Sequence, residues 1–169
     1  MKEGGALHVR IKGRLQGIEP DLQDHAFTIH NGPADYRHGC SQLNGHFNPT
    51  NTPHGAPNDP PNKRHVGDLG NIYVRRFGYA DIHTNDDLIQ VGTGNQDYDI
   101  VGKTLAVHIL PDNFGRVDNL TKAIPAIDNG AIIACGNIEL TPAGSSAQNL
   151  QFSFLLTLMV VSFVFYCKF

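Results

Sequence analysis

Short runs in which apolar and polar residues alternate recur through the first 141 residues, and they constrain the fold more than any other feature. The segment "HVRIKGRLQG" alternates along residues 8–17, as a strand with one buried face does. Turn-forming residues separate the runs, and the chain contains 18 Gly and 10 Pro. This pattern predicts an all-β sandwich or barrel of antiparallel strands. The predicted strands cover residues 7–15, 26–30, 71–76, 80–83, 88–91, 103–110 and 131–140.

Length and charge narrow the class of protein. The 169 residues, 40% of them hydrophobic, suit one globular domain, which we assign to residues 7–141. A spacer at 142–151 and an apolar tail at 152–169 follow it. The formal net charge is -3 and the basic residues are scattered along the sequence, so nucleic acid is not an expected partner.

The first of two long predicted loops, at residues 31–69, concentrates metal-binding side chains. It carries His46, His54, His65 and Asp68 on a backbone rich in Pro and Gly. Such a segment has no hydrophobic core of its own, and a bound cation would supply ordering energy. Three imidazoles and a carboxylate form a plausible zinc set. The alternative is that these histidines are ordinary solvated residues. The second long loop, at 111–130, has no comparable set.

A second histidine set lies on predicted strands. In "HAFTIH", at residues 25–30, alternation places Thr28 and His30 on one face and His25 on the other. His108 shares a strand face with Thr104 and Ala106. Imidazoles that converge from strand faces suit copper. For either histidine alone, a hydrogen-bonded core or surface position is the alternative.

The motifs together resemble the copper/zinc superoxide dismutase family across nearly the whole body. "NGHFNP", "HGAP", "RHVGDLGN", "AVH" followed four residues later by Asp, and "ACG" occur in the family's order. The resemblance implies a Greek-key barrel, dismutation of superoxide, and zinc and copper as cofactors. It also implies site residues: zinc ligands His46, His54, His65 and Asp68; copper ligands His30, His46 and His108; Asp112 as the carboxylate that links ligands of the two metals; and a Cys40–Cys135 disulfide.

The chain departs from the family pattern at the copper site and at its start. Thr28 stands where the family has a further copper-ligand histidine, and a hydroxyl is a poor copper ligand. Ile132 stands where the family has the arginine that attracts superoxide; Arg116 or Lys122 is the alternative cation. The family's first hairpin has no counterpart before Met1. We therefore expect an intact zinc site, a degraded copper site, and weak or absent dismutation.

The last residues change character completely. "FSFLLTLMVVSFVFY", at 152–166, is almost wholly apolar and falls at or just below the ~17–25 residues that span a bilayer. Small residues and a polar spacer precede it, which is the layout of a GPI-anchor signal. Residues 1–13, "MKEGGALHVRIKG", contain no apolar run of the kind found in a signal peptide. The chain is therefore expected at the cell surface or outside the cell if its N-terminus is incomplete, and otherwise tail-anchored or cytoplasmic.

Two further functions remain open beside the enzyme. One is a catalytically silent binding module, for example one that resembles the target-like domain of the copper chaperone. The other is a structural domain held at a membrane, whose metal serves only folding. The expected partners are superoxide if the protein is active, a second copy of the chain or a copper-chaperone-type protein, and a membrane through the tail.

Overall fold

Seven strands and one 3-10 helix make up the part of the chain that the structure describes. The structure is a computed structural model, and it describes residues 9–19, 23–35, 38–116 and 129–140, together with the main chain of a short strand at 161–163. The helix is Pro61–Lys63. The strands are β1 (Val9–Gln16), β2 (Asp24–His30), β3 (Asp68–Tyr73), β4 (Tyr79–Asp86), β5 (Thr104–His108), β6 (Ile132–Leu140) and β7 (Val161–Phe163).

The strands form two antiparallel sheets, which confirms the all-β prediction. β1 pairs with β4 in one sheet, and the other has the order β3-β2-β5-β6-β7. Alternate residues of these strands enter one shared hydrophobic core, as one-faced strands require. Its largest fully buried members include Phe27, Ile29, Ile82, Leu105 and Ile138.

The predicted strand at residues 88–91 is wrong. The Asp86 carboxylate accepts hydrogen bonds from the amides of Leu88 (2.8 Å) and Ile89 (3.0 Å). These bonds turn the chain immediately after β4, as Asx turns do. Gln90 forms only an isolated bridge with Asp99. The other predicted strands are present with shifted ends.

Strand β2 is covered on both of its faces. Phe27 and Ile29 enter the core, whereas Thr28 and His30 are buried beneath the long loop that follows. Backbone bonds hold this loop down: Phe47 N donates to Ile29 O (2.7 Å), and Ile29 N donates to Gly67 O (2.9 Å). A Cβ at Gly67 would overlap Ile29 O, so only glycine permits this approach.

The spacer and most of the tail lie outside the described residues. Within the tail, the main chain of β7 pairs with Ile138–Leu140 of β6. Lys122 and the remaining tail residues are not described. Across the described ranges, no helix combines the length and the apolar character needed to cross a bilayer.

Candidate metal centre

Four side chains from the long loop and the start of β3 converge on one point. The Asp68 Oδ1 atom lies 2.9 Å from His46 Nδ1, 3.0 Å from His54 Nδ1 and 3.1 Å from His65 Nδ1. One ligand atom from each of the four lies within 4.8 Å of all the others. Three nitrogens and one oxygen at this spacing can surround a tetrahedral cation.

Asp68 is held in place by its second oxygen. The Oδ2 atom accepts hydrogen bonds from the amides of Gly55 (3.0 Å) and His65 (2.8 Å). Burial alone would raise the pKa of this carboxyl, but hydrogen bonds from His46 and His65 and the attraction of the nearby His54 ring outweigh it and hold the pKa well below its usual range. The cluster therefore contains a permanent anion, as a divalent cation requires.

His54 is oriented by a second carboxylate. Its Nε2 atom lies 2.7 Å from Asp112 Oδ1. If this nitrogen carries the proton, the lone pair of Nδ1 points at the Asp68 cluster. Nδ1 is buried and makes no hydrogen bond despite its proximity to Asp68. An orphaned nitrogen among carboxylate and imidazole donors fits a metal ligand.

Without a metal, the same carboxylates favour protonation of His54. Burial lowers its pKa, but the hydrogen bond to Asp112 and the negative charges of Asp68 and Asp112 outweigh that effect and raise the pKa to about 9. The imidazolium then neutralises the negative charge that a metal ion would otherwise balance. Protons and metal therefore compete for this site.

A second cluster joins β2, β5 and the loop. His30 Nε2 lies 3.1 Å from His108 Nε2, and His46 Nε2 is buried without a hydrogen-bond partner. The other ring nitrogens face backbone carbonyls: His30 Nδ1 contacts Asn44 O, and His108 Nδ1 contacts Gly130 O. Each carbonyl accepts a hydrogen bond from the ring Nδ1–H group, which leaves the Nε2 lone pairs directed inward. One ligand atom from each histidine lies within 4.8 Å of the others.

The inward-facing imidazole of His30 disfavours protonation. Burial is the largest of the effects that together lower the pKa of His30 to about 4. The hydrogen bond to the Asn44 carbonyl opposes it, and the electrostatic influence of the neighbouring His46 and His108 adds to it. Neutral imidazole is the form that binds a metal. His46 contributes to both clusters through its two ring nitrogens.

Thr28 occupies the position beside this second cluster that alternation predicted. Its Oγ1 lies 3.1 Å from His108 Nε2, and the residue is fully buried. His25 is on the other side of the strand, where its Nδ1 contacts His108 O at 2.8 Å.

The Asp112 Oδ2 atom is buried without a hydrogen-bond partner. Asp112 therefore orients the imidazole of His54 through Oδ1, and its Oδ2 atom contacts no ligand of the second cluster.

The surroundings of the second cluster are apolar on the β6 side. Ile132 is the cross-strand neighbour of His108 and is half-buried. Ile109 and Leu110, which follow His108, are 44% and 43% exposed. Arg116, one of the two alternative cations, places its guanidinium over the Phe114 ring at 5.7 Å. The other alternative, Lys122, lies outside the described residues.

Two covalent or ionic contacts tie the loop to the sheets. Cys40 and Cys135 form the disulfide implied by the family resemblance, and it joins the loop to β6. Arg64 is buried and donates to Asp68 O (2.8 Å) and to Asp86 Oδ2 (2.6 Å). Sequence reasoning missed Arg64, because a lone arginine in a polar loop carries no local signal of burial.

Comparison with known proteins agrees with this architecture. The family model described as copper/zinc superoxide dismutase matches residues 1–138. The chain is 37% identical over 133 residues to the extracellular superoxide dismutase [Cu-Zn] of Haemonchus contortus, covering 78% of this chain and 67% of the relative. It is 37% identical over 137 residues to superoxide dismutase [Cu-Zn] 2 of Mesembryanthemum crystallinum, with 80% of each covered.

Two further matches extend the comparison. The extracellular superoxide dismutase [Cu-Zn] of Brugia pahangi is 35% identical over 133 residues, covering 78% of this chain and 63% of the relative. The chain thus spans about two thirds of the length of the two extracellular relatives. The crystal structure of the clock protein EA4 superposes with a TM-score of 0.63 at 32% identity, covering 77% of both chains. The chain belongs to the copper/zinc superoxide dismutase family.

Proposed function

We propose that this protein is a zinc-binding, superoxide dismutase-like domain whose copper site is degraded, so that dismutation is weak or absent. His46, His54, His65 and Asp68 would hold zinc, and His30, His46 and His108 would face copper. The observation that carries the proposal is the contact of Thr28 Oγ1 with His108 Nε2 at 3.1 Å. A threonine hydroxyl stands there in place of an imidazole.

Bound copper would supply one-electron chemistry. The residues of this chain determine how tightly copper is held and how fast superoxide reaches it. Three imidazoles form an incomplete set for Cu(II), which favours tetragonal nitrogen coordination. Ile132 offers no positive charge beside His108, and loss of electrostatic steering slows capture of an anion by about 10 to 10³-fold. Zinc on the Asp68 side would lock the His46 ring, since its Nδ1 faces that cluster at 2.9 Å.

The second candidate is an active copper/zinc superoxide dismutase with a three-histidine copper site. The inward-facing nitrogens of His30 and His108 at 3.1 Å, together with the unpartnered His46 Nε2, favour it. The two candidates differ in copper retention and in turnover, and they share the zinc site.

Metal analysis and a dismutation assay separate the candidates. The protein is loaded with zinc and copper, dialysed, and compared with Thr28→His and Thr28→His/Ile132→Arg. We expect stoichiometric zinc in all three and low copper and activity in the parent. Thr28→His should raise both copper content and activity, and Ile132→Arg should then raise activity further. Thr93→His, in an exposed loop, is the matched control and should gain neither. Tight copper and rapid dismutation in the parent would establish the second candidate, and absence of zinc would refute both.

The remaining assignments follow from the same proposal. The dismutase-like domain comprises residues 7–141, followed by a spacer at 142–151 and a hydrophobic tail at 152–169 that serves as a GPI signal or membrane anchor. Similarity to two extracellular enzymes supports a cell-surface or extracellular location. A homodimer and a copper-chaperone-type protein are the proposed protein partners. Partial proteolysis with mass spectrometry tests the domain limits, and release of the protein from cells by phospholipase tests the anchor.

A further inference from the structure

Alternation along β1 gathers basic residues that look scattered in the sequence. Arg10, Lys12 and Arg14 are exposed and share the outer face of the β1–β4 sheet, about 7 Å apart along the strand. Across the sheet they lie opposite Asn85, His83 and Asp81. We call the outer side chains of this sheet and of its adjoining turn the basic face: Arg10, Lys12, Arg14, Arg75, Arg76 and Phe77.

The turn before β4 adds an exposed aromatic ring to the end of this face. Phe77 is 84% exposed, the most exposed of the large hydrophobic residues described. Arg75 and Arg76 precede it and are also exposed. Tyr73, just before the turn, is 49% exposed. The Phe77 ring buries little of its apolar area in the chain itself, so its transfer from water into an apolar medium would be favourable.

The turn is held firmly against β1. Gly78 O accepts hydrogen bonds from the amides of Gly17 (3.0 Å) and Ile18 (3.3 Å), and Arg75 N donates to Tyr79 O (2.8 Å). Gly78 has a positive φ of 67°, and a Cβ there would overlap Ile18 O. The backbone therefore presents Phe77 in a fixed place at the end of the sheet.

The charges of this face are largely uncompensated. Among the paired residues on the outer face of the β1–β4 sheet, Asp81 is the one acid. It lies 2.7 Å from Arg14 and 3.8 Å from Arg75. The exposed Glu19 follows Ile18, whose amide bonds to the turn, but no ion pair joins Arg10, Lys12 or Arg76 to a described acid. The whole chain is acidic, with a formal net charge of -3. The excess of basic side chains on this face is thus a local feature.

We propose that the basic face docks on an anionic phospholipid bilayer. Arginine and lysine would contact lipid phosphates, and Phe77 would enter the boundary between headgroups and acyl chains. A linear polyanion would match the row on β1 but would leave the phenyl ring in water, and for this reason the bilayer is favoured. The site lies in a different sheet from both metal clusters, and its use goes beyond the proposed function.

The experiment uses Phe77→Trp, since the chain contains no tryptophan of its own. The full chain is mixed with phosphatidylcholine vesicles that either contain or lack phosphatidylserine. We expect the emission to shift to the blue only with phosphatidylserine, and to revert at about 1 M salt, where the Debye length is about 3 Å. Gln96→Trp, in an exposed loop, is the matched control and should not shift. Binding by the apolar tail itself would appear equally on both vesicle types.

Charge and aromatic variants then test the individual contacts by vesicle sedimentation. Each basic residue near an anionic surface contributes about fivefold to partitioning, so Arg10→Gln/Lys12→Gln should weaken phosphatidylserine-dependent binding by about 25-fold. Phe77→Ser should weaken it by about tenfold. Lys63→Gln, on the short helix, should leave it unchanged. An absent blue shift, an equal shift on both vesicles, or retention on heparin alone overturns the proposal.

Discussion

Replacing Asp68 by asparagine should remove much of the order of the zinc-type cluster even before metal is added. One carboxylate oxygen faces three imidazoles, and the other accepts two buried amides. An asparagine oxygen can serve one side only, so the side-chain NH₂ would oppose two donors on the other side, either the Gly55 and His65 amides or the Nδ1–H groups of His46 and His65. Two unsatisfied buried donors cost about 2–6 kcal/mol, and relief of carboxylate desolvation offsets part of this. The net loss is about 2–5 kcal/mol, against a typical total of about 5–15.

The assay is urea unfolding of the metal-free protein, followed by circular dichroism, for the parent and Asp68→Asn. Asp59→Asn is the matched control in the same loop, because Asp59 accepts one amide, from Ala56 at 2.8 Å; we expect a loss of about 1 kcal/mol. Zinc titration should show at least about a hundredfold weaker binding for Asp68→Asn, since the anionic ligand is gone. Equal losses for the two variants in metal-free protein would refute this account of Asp68.

Three further predictions concern pH, the disulfide and the loop backbone. The pKa of His54 is raised to about 9 without metal, so its protonation stabilises the fold fully below pH ~6.5, and this contribution should fall as pH rises through 9. Asp112→Asn should flatten the pH profile of the free energy of unfolding. An unchanged profile contradicts the assignment. Reduction of Cys40–Cys135, which spans 95 residues, should lower the free energy of unfolding by about 4–5 kcal/mol. Denaturant unfolding with and without reductant measures this, and a loss under ~1 kcal/mol would contradict the prediction. Gly67→Ala should destabilise the fold and lower zinc content, because the methyl group has no space beside Ile29 O; near-parental stability in calorimetry would count against that close approach.

Alternation predicts which side chains share a face of a strand, even in β2, where both faces are buried. Alternation placed Thr28 and His30 on one face of β2 and His25 on the other, and the contacts of all three with His108 agree. It failed at residues 88–91, where a short apolar run suggests a strand. The carboxylate of Asp86 bends the chain there, and periodicity is insensitive to a side chain that caps the next turn.

The convergence of the two histidine sets on neighbouring sites was predicted from the family resemblance and not from any local sequence pattern. His46 stands 22 residues before Asp68 and is far in sequence from His108, and no periodicity links them. Folding brings them together because the loop bonds to β2. The basic face was not predicted, because the net charge of the whole chain counts Lys12 and the neighbouring arginines together with acids that lie elsewhere in the fold.

Arg64 joins the metal loop to β4, and this has a consequence for how the protein opens. Its guanidinium binds Asp68 O on one side and Asp86 Oδ2 on the other, so neither segment can detach without stranding a buried charge. The loop and the 86–89 turn should therefore exchange their amide hydrogens together, as one cooperative unit. Metal added to the loop would then slow exchange at Leu88 and Ile89, whose amides share the Asp86 carboxylate.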